Sequence, residues 1–290
     1  MSATGNKGKA ALRARSMRVM NLHLPSHAAL ILWSLVVLFP LWVMIMGSFK
    51  DRRSIYTNTF GLPAVWNTAN YTDILQSSDF LRYFLNSFMV VALSLILVMA
   101  AGALAAYALS NWRGKLSSVM FFFLIAGMML PIRIGSIKLL EIVKGLGLMG
   151  SKWALVPIYT GMGIPMSVFV LTGFMRRTPH ELIEAGYMDG AGYLRIFSTI
   201  VLPLMRPALA TVAIYNLVPF WNDLWFPLII ITEESEKTLL LGVTRLFGQY
   251  QTDWSKVLAV LTLSAVPVIT LYLLMSRQFI AGLTAGAVKG

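Results

Sequence analysis

The side chains best suited to polar chemistry gather in one segment, residues 176–207, which reads RRTPHELIEAGYMDGAGYLRIFSTIVLPLMRP. Thr178 and Glu181 stand three residues apart with Pro179 between them, which is the pattern of a capping box. In that motif the threonine hydroxyl and the glutamate carboxylate satisfy amide groups that the first helical turn leaves free. The pattern predicts a short helix that runs to about Asp189.

One face of the predicted helix is defined by helical spacing. Leu182, Ala185, Gly186 and Asp189 follow the i, i+3, i+4, i+7 rule and share a weakly apolar stripe. Glu184 stands beside the two small residues. These features alone are those of an ordinary amphipathic surface helix that can bind another surface.

A turn and a second helix are expected next. Gly190 and Gly192 both permit the positive φ that ends a helix. The second helix is predicted from near Tyr193 to Pro203. The segment therefore indicates a short helix–turn–helix.

Groups for catalysis or metal binding are scarce elsewhere. The chain has no cysteine, which excludes a disulfide scaffold, a thiolate zinc site and a cysteine nucleophile. Its three histidines, His23, His27 and His180, lie outside the apolar runs. Gly114-Lys115 is followed by Leu116, where a phosphate-binding loop needs Ser or Thr. We expect no catalytic residue, metal or cofactor in this chain, so if it moves a solute uphill, the energy must come from a partner.

The composition indicates the environment of this segment. Hydrophobic residues make up 57% of the 290 residues, charged residues 12%, and the mean hydropathy is +0.72. Soluble domains average about 25% charged residues, and half that density cannot coat a globule of this size. An all-α polytopic membrane protein is expected. The net charge of +12 fits membrane orientation and anionic headgroups better than nucleic acid.

Charge-free runs locate the membrane spans, because a charge at the centre of a span costs about 2.5–3.5 kcal/mol. Tryptophans near several run ends fit an aromatic belt. The fifth run is too short to cross alone and must borrow residues from a neighbouring stretch. Six transmembrane helices are predicted, near residues 28–48, 84–109, 116–132, 153–175, 207–222 and 257–276.

The basic leader sets the predicted orientation. Residues 1–27 contain five Lys or Arg and no acid, which favours a cytoplasmic N-terminus. No small-x-small cleavage site follows, so the first span is expected to be an uncleaved signal anchor. The predicted organisation is a cytoplasmic segment 1–27, a six-span domain 28–276 and a cytoplasmic tail 277–290. The helix after Thr178 then lies at the cytoplasmic face, between spans 4 and 5.

The spacing within residues 176–207 resembles a known family signature. Glu184-Ala185-Gly186 is followed after three residues by Gly190, and after nine more by Ile200-x-Leu202-Pro203. This resembles the EAA signature of permease subunits of ABC importers, EAA-x3-G-x9-I-x-LP, with Gly186 in place of the second alanine. Trp221-Asn222-Asp223 with Pro227-Leu228, and the terminal AGLTAGAVKG, add to the resemblance. From about residue 80 to 290 the chain is similar to carbohydrate importers, specifically to the G-type subunit of the maltose-type family.

The resemblance implies a function and a set of partners. The chain would be half of the pore for ATP-driven, binding-protein-dependent uptake of a carbohydrate or sugar derivative, in a bacterial-type inner membrane. The partners would be a sister permease, two ATPase subunits that bind ATP and Mg, and an external solute-binding protein. The chain itself would not be an enzyme.

The resemblance also assigns residues. A cytoplasmic coupling helix would enter an ATPase cleft, its small residues allowing close approach and its glutamate pairing with a basic group. Gly190 would turn the second helix back toward the membrane. The residues assigned to coupling are Glu184, Ala185, Gly186, Asp189, Gly190, Leu202 and Pro203.

Two further contact regions follow from the resemblance. Gln249, Tyr250 and Asn222 are expected to contact solute or binding protein, because amide and aromatic groups suit sugar hydroxyls and faces. A loop folded on its own bundle is the alternative for residues 244–254. Ala287 and Lys289 are expected to contact the ATPase subunits, with a frayed end as the alternative.

Other functions are open at this point. Within importers, the solute is alternatively a polyol, a glycerophosphodiester or a sulfosugar. A secondary carrier would need ionisable groups within the spans and often inverted repeats. An intramembrane hydrolase would need a His, Asp or Glu constellation there. Neither pattern is visible in the sequence.

Overall fold

The computed structural model describes the backbone of residues 4–76, 78–112, 114–179, 181–246 and 252–287 and, apart from Ser78, their side chains between residues 25 and 276. Within these residues the chain forms helices and turns without a strand, as the all-α prediction requires. The α-helices are α1 (Thr4–Ser48), α2 (Arg52–Thr57), α3 (Ala69–Gln76), α4 (Ser78–Asn111), α5 (Lys115–Ala126), α6 (Ser136–Gly145), α7 (Leu155–Met175), α8 (Glu181–Met188), α9 (Tyr193–Ile196), α10 (Leu202–Leu204), α11 (Arg206–Trp221), α12 (Trp225–Ile230), α13 (Leu239–Val243) and α14 (Trp254–Ala287).

Four helical segments are long and apolar enough to cross a membrane. They are Pro25–Ser48, Asp79–Asn111, Lys152–Met175 and Trp254–Ser276, and they match predicted spans 1, 2, 4 and 6. The residues predicted as a leader and a tail continue these helices, since α1 begins at Thr4 and α14 ends at Ala287.

The third and fifth predicted spans are bent helix pairs. Lys115–Met129 and Ile132–Gly145 meet at 85°, and Tyr193–Leu204 and Arg206–Trp221 meet at 74°. The described residues therefore supply six spans only if each bent pair counts as one. Pro131 lies at the first bend with an extended backbone, because proline fixes φ and cannot continue a hydrogen-bonded helix. The charge-free runs in the sequence gave the length of each span but did not show that the third and fifth spans bend.

The chain divides into two compact units. One comprises residues 1–71 and 253–262, and the other comprises residues 72–252 and 263–290. In the second unit α4 packs chiefly on α7, and α11 packs on both.

Small residues bring α4 and α7 together. Gly102 lies against Ser167, and Gly163 lies against Val98 and Asn216. Lipid gives little drive for helix association, so close backbone approach at small residues and interhelical hydrogen bonds hold such an interface. Asn216, on α11, donates to the Ser167 hydroxyl at 3.5 Å.

A buried lysine organises the first unit. Lys50 follows the end of α1 and is 1% exposed. Its ammonium donates to the carbonyl oxygens of Asn58 at 2.5 Å and Thr59 at 3.1 Å. Burial lowers the Lys50 pKa, and the two carbonyl oxygens offset part of the cost of burying the charge.

Candidate functional site

The predicted helix–turn–helix is present and is called here the coupling segment, residues 181–206. α8 ends at Met188, one residue short of the prediction. Gly190 has a φ of +76°, so its predicted positive φ is confirmed. The Ala191 amide donates to the Gly186 carbonyl and the Gly190 amide to the Tyr187 carbonyl, both at 3.0 Å. This pair of bonds is the Schellman motif that closes a helix at a left-handed residue.

One detail of the predicted turn is wrong, and the threonine of the predicted capping box has a further contact. Gly192 has a φ of −75° and a ψ of 166°, so it is extended backbone that any residue adopts. The Thr178 hydroxyl donates back to the Phe174 carbonyl at 3.5 Å. Among the described residues its contact is therefore with the end of α7 rather than with α8.

The inward face of α8 differs from the predicted stripe. Ile183 and Gly186 are the buried residues of this helix. A Cβ at Gly186 would lie 3.0 Å from the Ile200 side chain and 3.1 Å from that of Ile196. The prediction that Gly186 enters a partner's cleft is wrong, because glycine here admits the chain's own second helix. Only one member of the stripe points inward.

The outward face of α8 combines charge and apolar surface. Glu184, Ala185 and Asp189 are exposed, and Met188 is 87% exposed. Within the described part of the chain the Glu184 carboxylate accepts no hydrogen bond. This face therefore presents two carboxylates and an exposed apolar side chain to the surroundings of the chain. The structure therefore brings together three of the predicted coupling residues, Glu184, Ala185 and Asp189, on this face, with Gly190 at the turn.

Leu202 and Pro203 lie apart from the outward face of α8, at the elbow of the second bent pair. A π-helix, Phe197–Val201, leads into α10, and such distortions are frequent at functional sites. The Phe197 ring packs on Tyr107 of α4 with centroids 5.3 Å apart. Together with α4 the elbow encloses an apolar cavity of about 530 Å³, whose lining includes Ile96, Ala100, Ala103, Leu202, Pro203 and Arg206.

The opposite end of α11 holds the predicted contact residue Asn222. Its side chain is exposed and donates to the Val218 carbonyl at 3.0 Å. The neighbouring Asp223 accepts from the Trp225 amide at 3.1 Å and from the Tyr159 hydroxyl at 2.9 Å. Asp223 therefore caps the start of α12 and ties it to α7.

Sequence reasoning missed an acidic clamp, which we define as Glu234 and Glu236 with their partners. The Glu236 carboxylate accepts from the Lys152 ammonium at 2.9 Å, from the Lys152 amide at 3.1 Å and from the Ser151 hydroxyl at 3.2 Å. Desolvation raises the pKa of Glu236, but the bonds from Lys152 and Ser151 outweigh it and leave that pKa below its usual range.

Glu234 forms the second arm of the clamp. It lies 2.7 Å from the Lys237 ammonium and 3.1 Å from the Arg245 guanidinium, and the Tyr83 hydroxyl donates to it. The bonds from Lys237 and Tyr83 lower the pKa of Glu234. No local sequence signal marks the contact of Glu234 with Tyr83 or that of Glu236 with Lys152, since the two members of each pair are distant in the chain.

The remaining predicted contact residues are mostly outside the described structure. Gln249, Tyr250 and Lys289 lie outside the described residues. Arg245 is held just before that loop, 3.4 Å from Asp79. Ala287 is the last residue of α14. Within the described residues no group of three or more His, Asp or Glu is suited to a metal ion.

Comparison with known protein families shows which family the chain matches. Residues 98–284 match the family described as "Binding-protein-dependent transport system inner membrane component". The matched range contains the coupling segment and the two clamp glutamates, Glu234 and Glu236.

Two relatives and one solved structure illustrate the similarity. The chain is 32% identical to the diacetylchitobiose uptake system permease protein NgcG of Streptomyces coelicolor, over 91% of this chain and 88% of that one. It is 32% identical to the melibiose/raffinose/stachyose import permease protein MelC of Bacillus subtilis, over 97% and 99%. A chain of a bacterial ABC transporter involved in alginate import superposes with a TM-score of 0.78 at 20% identity, over 91% of this chain and 98% of that one. The last likeness concerns the fold.

Proposed function

Because the chain belongs to the family of binding-protein-dependent transport system inner membrane components, and is a permease subunit of an ABC importer, we propose that its solute is an oligosaccharide or a sugar derivative. The observation that carries this proposal is the full-length similarity to permeases named for the uptake of diacetylchitobiose and of melibiose, raffinose and stachyose. The protein is a multi-pass component of the inner membrane.

The proposed energy input is the outward face of α8. An ATPase subunit would contact Glu184, Ala185 and Asp189, with a basic group opposite Glu184. The Schellman turn at Gly190 would transmit the movement of α8 to the π-helix and the elbow. Phe197 on Tyr107 would pass it to α4 as rigid-body motion.

The proposed assembly supplies what this chain lacks. A sister permease would complete the pore, and two ATPase subunits would bind ATP and Mg and hydrolyse the nucleotide. A solute-binding protein would dock on the opposite face, near Asn222 and the loop that contains Gln249 and Tyr250. This docking is consistent with a family that works with binding proteins.

Uptake by the reconstituted importer tests the proposed solute. The co-expressed complex is placed in proteoliposomes with internal ATP and Mg, and its solute-binding protein is added outside. We expect accumulation of a labelled oligosaccharide that requires both ATP and the binding protein. Accumulation of a polyol, glycerophosphodiester or sulfosugar, with no oligosaccharide uptake, would replace the proposed solute class.

The proposed orientation places both termini in the cytoplasm. The natural chain has no cysteine, so single cysteines at Ser16 and Ser235 can be labelled in intact cells. An impermeant maleimide is expected to label position 235 and not position 16. Labelling of position 16 alone would invert the orientation.

A tail contact is proposed for Ala287 and Lys289. The small residues Ala285, Gly286 and Ala287 would fit a narrow seam between the ATPase subunits, and the Lys289 cation would meet an acidic group there. Deleting residues 285–290 is expected to lower ATPase retention during purification while membrane insertion stays normal. Unchanged retention and an unchanged transport rate would make the tail a frayed end.

A further inference from the structure

An exposed aromatic segment follows α1 in the first unit. We call residues 52–66 the aromatic loop. Tyr56, Phe60 and Trp66 are each more than half exposed, as are Leu62 and Val65. Soluble proteins seldom present so much apolar surface in one place unless something covers it.

The aromatic loop folds back along α1. The Phe60 ring lies 5.6 Å from the Phe39 ring, centroid to centroid. Phe39 precedes Ser48, the end of α1, by nine residues, which is about 14 Å along a helix. The loop therefore descends beside the apolar segment Pro25–Ser48 instead of rising away from its end.

Hydrogen bonds fix this return in the middle and at the end of the loop. The Lys50 ammonium binds the Asn58 and Thr59 carbonyl oxygens in its middle. At its end the Asn67 amide donates to the Phe49 carbonyl at 2.8 Å, and the Asn70 side chain donates to the Ser48 and Lys50 carbonyls at 2.9 and 3.0 Å. The depth of the loop relative to α1 is thus part of the fold.

The depth of Phe60 can be compared with a bilayer. A 24-residue helix from Pro25 to Ser48 is about 36 Å long, against about 30 Å of hydrocarbon. Even if all the excess projects beyond Ser48, Phe39 lies about 8 Å inside the hydrocarbon, and Phe60 contacts it there. The exposed surface of the loop is continuous with that of α1, whose apolar window has no buried residue.

We infer that the aromatic loop is an interfacial membrane anchor, and that phospholipid covers its exposed face. Tyr56 and Trp66 would lie where headgroups meet acyl chains, the position that amphipathic rings prefer. Phe60 and Leu62 would reach the acyl chains, and the exposed Arg53 would extend to the phosphates. The inference rests on the membrane location of the family and is independent of the solute.

Spin-label depth measurements test the anchor. A single cysteine replaces Leu62, the full importer is reconstituted in phospholipid nanodiscs, and power saturation is measured with oxygen and with a nickel chelate. The matched control is a label at the exposed Ser235, and spin-labelled phospholipids calibrate depth. We expect oxygen to reach position 62 better than nickel, which gives a positive depth parameter, and the reverse at position 235.

Two outcomes would overturn the anchor. Nickel access at position 62 equal to that at position 235 would place the loop in water. Low access of both oxygen and nickel would mean that another subunit covers it. A label at Tyr56 gives the same test if the Leu62 variant does not fold, and its depth is expected to be shallower than that of position 62.

Discussion

Near the start of α7 the Lys152 side chain is paired with Glu236 inside the chain, whereas beyond the Met175 end of α7 two acids of the coupling segment are exposed. Glu236 takes three donors from Ser151 and Lys152. At the other end, Glu184 and Asp189 of the coupling segment are exposed. The same helix therefore joins a region whose acids are paired within the chain to one whose acids are exposed.

The difference separates stability from function. A half-buried ion pair with its hydrogen bonds complete fixes one arrangement, and losing a member strands the other. An exposed acid contributes little to the fold, and we propose that Glu184 and Asp189 of the coupling segment serve a contact outside the chain. We expect substitutions at the clamp to act on stability, and substitutions on the outward face to act on ATP-driven transport.

The largest effect is expected from a substitution where α7 packs on α4 and α11, between the two regions. In Gly163→Val the new Cβ would lie 2.7 Å from the Val98 side chain and 2.8 Å from Asn216. Overpacking of this kind costs about 3 kcal/mol, and both regions would lose their geometry. We expect strongly reduced folded protein in membranes, measured by fluorescence-detected size-exclusion chromatography. Gly161→Val is the matched control on α7, since no atom lies within 4 Å of its Cβ; equal losses in both would contradict the packing account.

Removal of the clamp carboxylate should come next. Glu236→Ala leaves the Lys152 ammonium without its partner, and the Lys152 side chain is 10% exposed. Stranding a largely buried charge costs about 2–3 kcal/mol. A lower melting temperature of the purified importer is expected. The double variant Glu236→Ala with Lys152→Met should recover part of the loss, and an unchanged melting temperature in the single variant would argue against a stabilising clamp.

Acid should weaken the clamp reversibly and by less than its deletion. The folded pKa of Glu236 lies below its usual range, so its contribution to stability is complete above the unfolded pKa, about 4.3 for a glutamate. The contribution is lost as pH falls through the folded value. The melting temperature should therefore fall below about pH 4.5 more steeply in the natural chain than in Glu236→Gln. Parallel pH profiles would contradict this role.

The turn of the coupling segment should show a smaller effect. Gly190→Ala places a Cβ at a φ of +76°, which costs about 1 kcal/mol. We expect weaker coupling of ATP hydrolysis to transport with little loss of folded protein. Gly192→Ala is the control, because that residue is extended and its Cβ meets no atom. Equal effects of the two alanines would separate the turn from coupling.

Local signals predicted much of the coupling segment. The end of α8, the left-handed Gly190 and the start of α9 at Tyr193 follow from residue types within a few positions. The orientation of Gly186 did not, because it depends on how Ile196 and Ile200 return against α8. Helical spacing defines a stripe but cannot say which stripe is buried.

Long-range features lay beyond sequence reasoning. The bond between Lys152 and Glu236 joins residues that are 84 positions apart in the chain, and neither local sequence predicts it. The bends of the third and fifth spans had usable signals in Pro131 and Pro207. Proline disfavours helical backbone in the preceding residue, and Leu130 is extended. Pro207 lies in the first turn of α11, the one part of a helix that tolerates proline. Hydropathy alone counted those spans without showing that they turn.

The most direct test of the central claim is charge reversal at Glu184, whose expected effect on stability is the smallest of all. Glu184→Lys is compared with Glu141→Lys, an exposed reversal on α6, in the reconstituted importer. Both variants should have the same melting temperature as the natural protein. We predict that ATP hydrolysis stimulated by solute-loaded binding protein falls to the basal rate in Glu184→Lys and stays full in Glu141→Lys. Full stimulation in Glu184→Lys would contradict the assignment of α8 as the surface through which ATP hydrolysis drives transport.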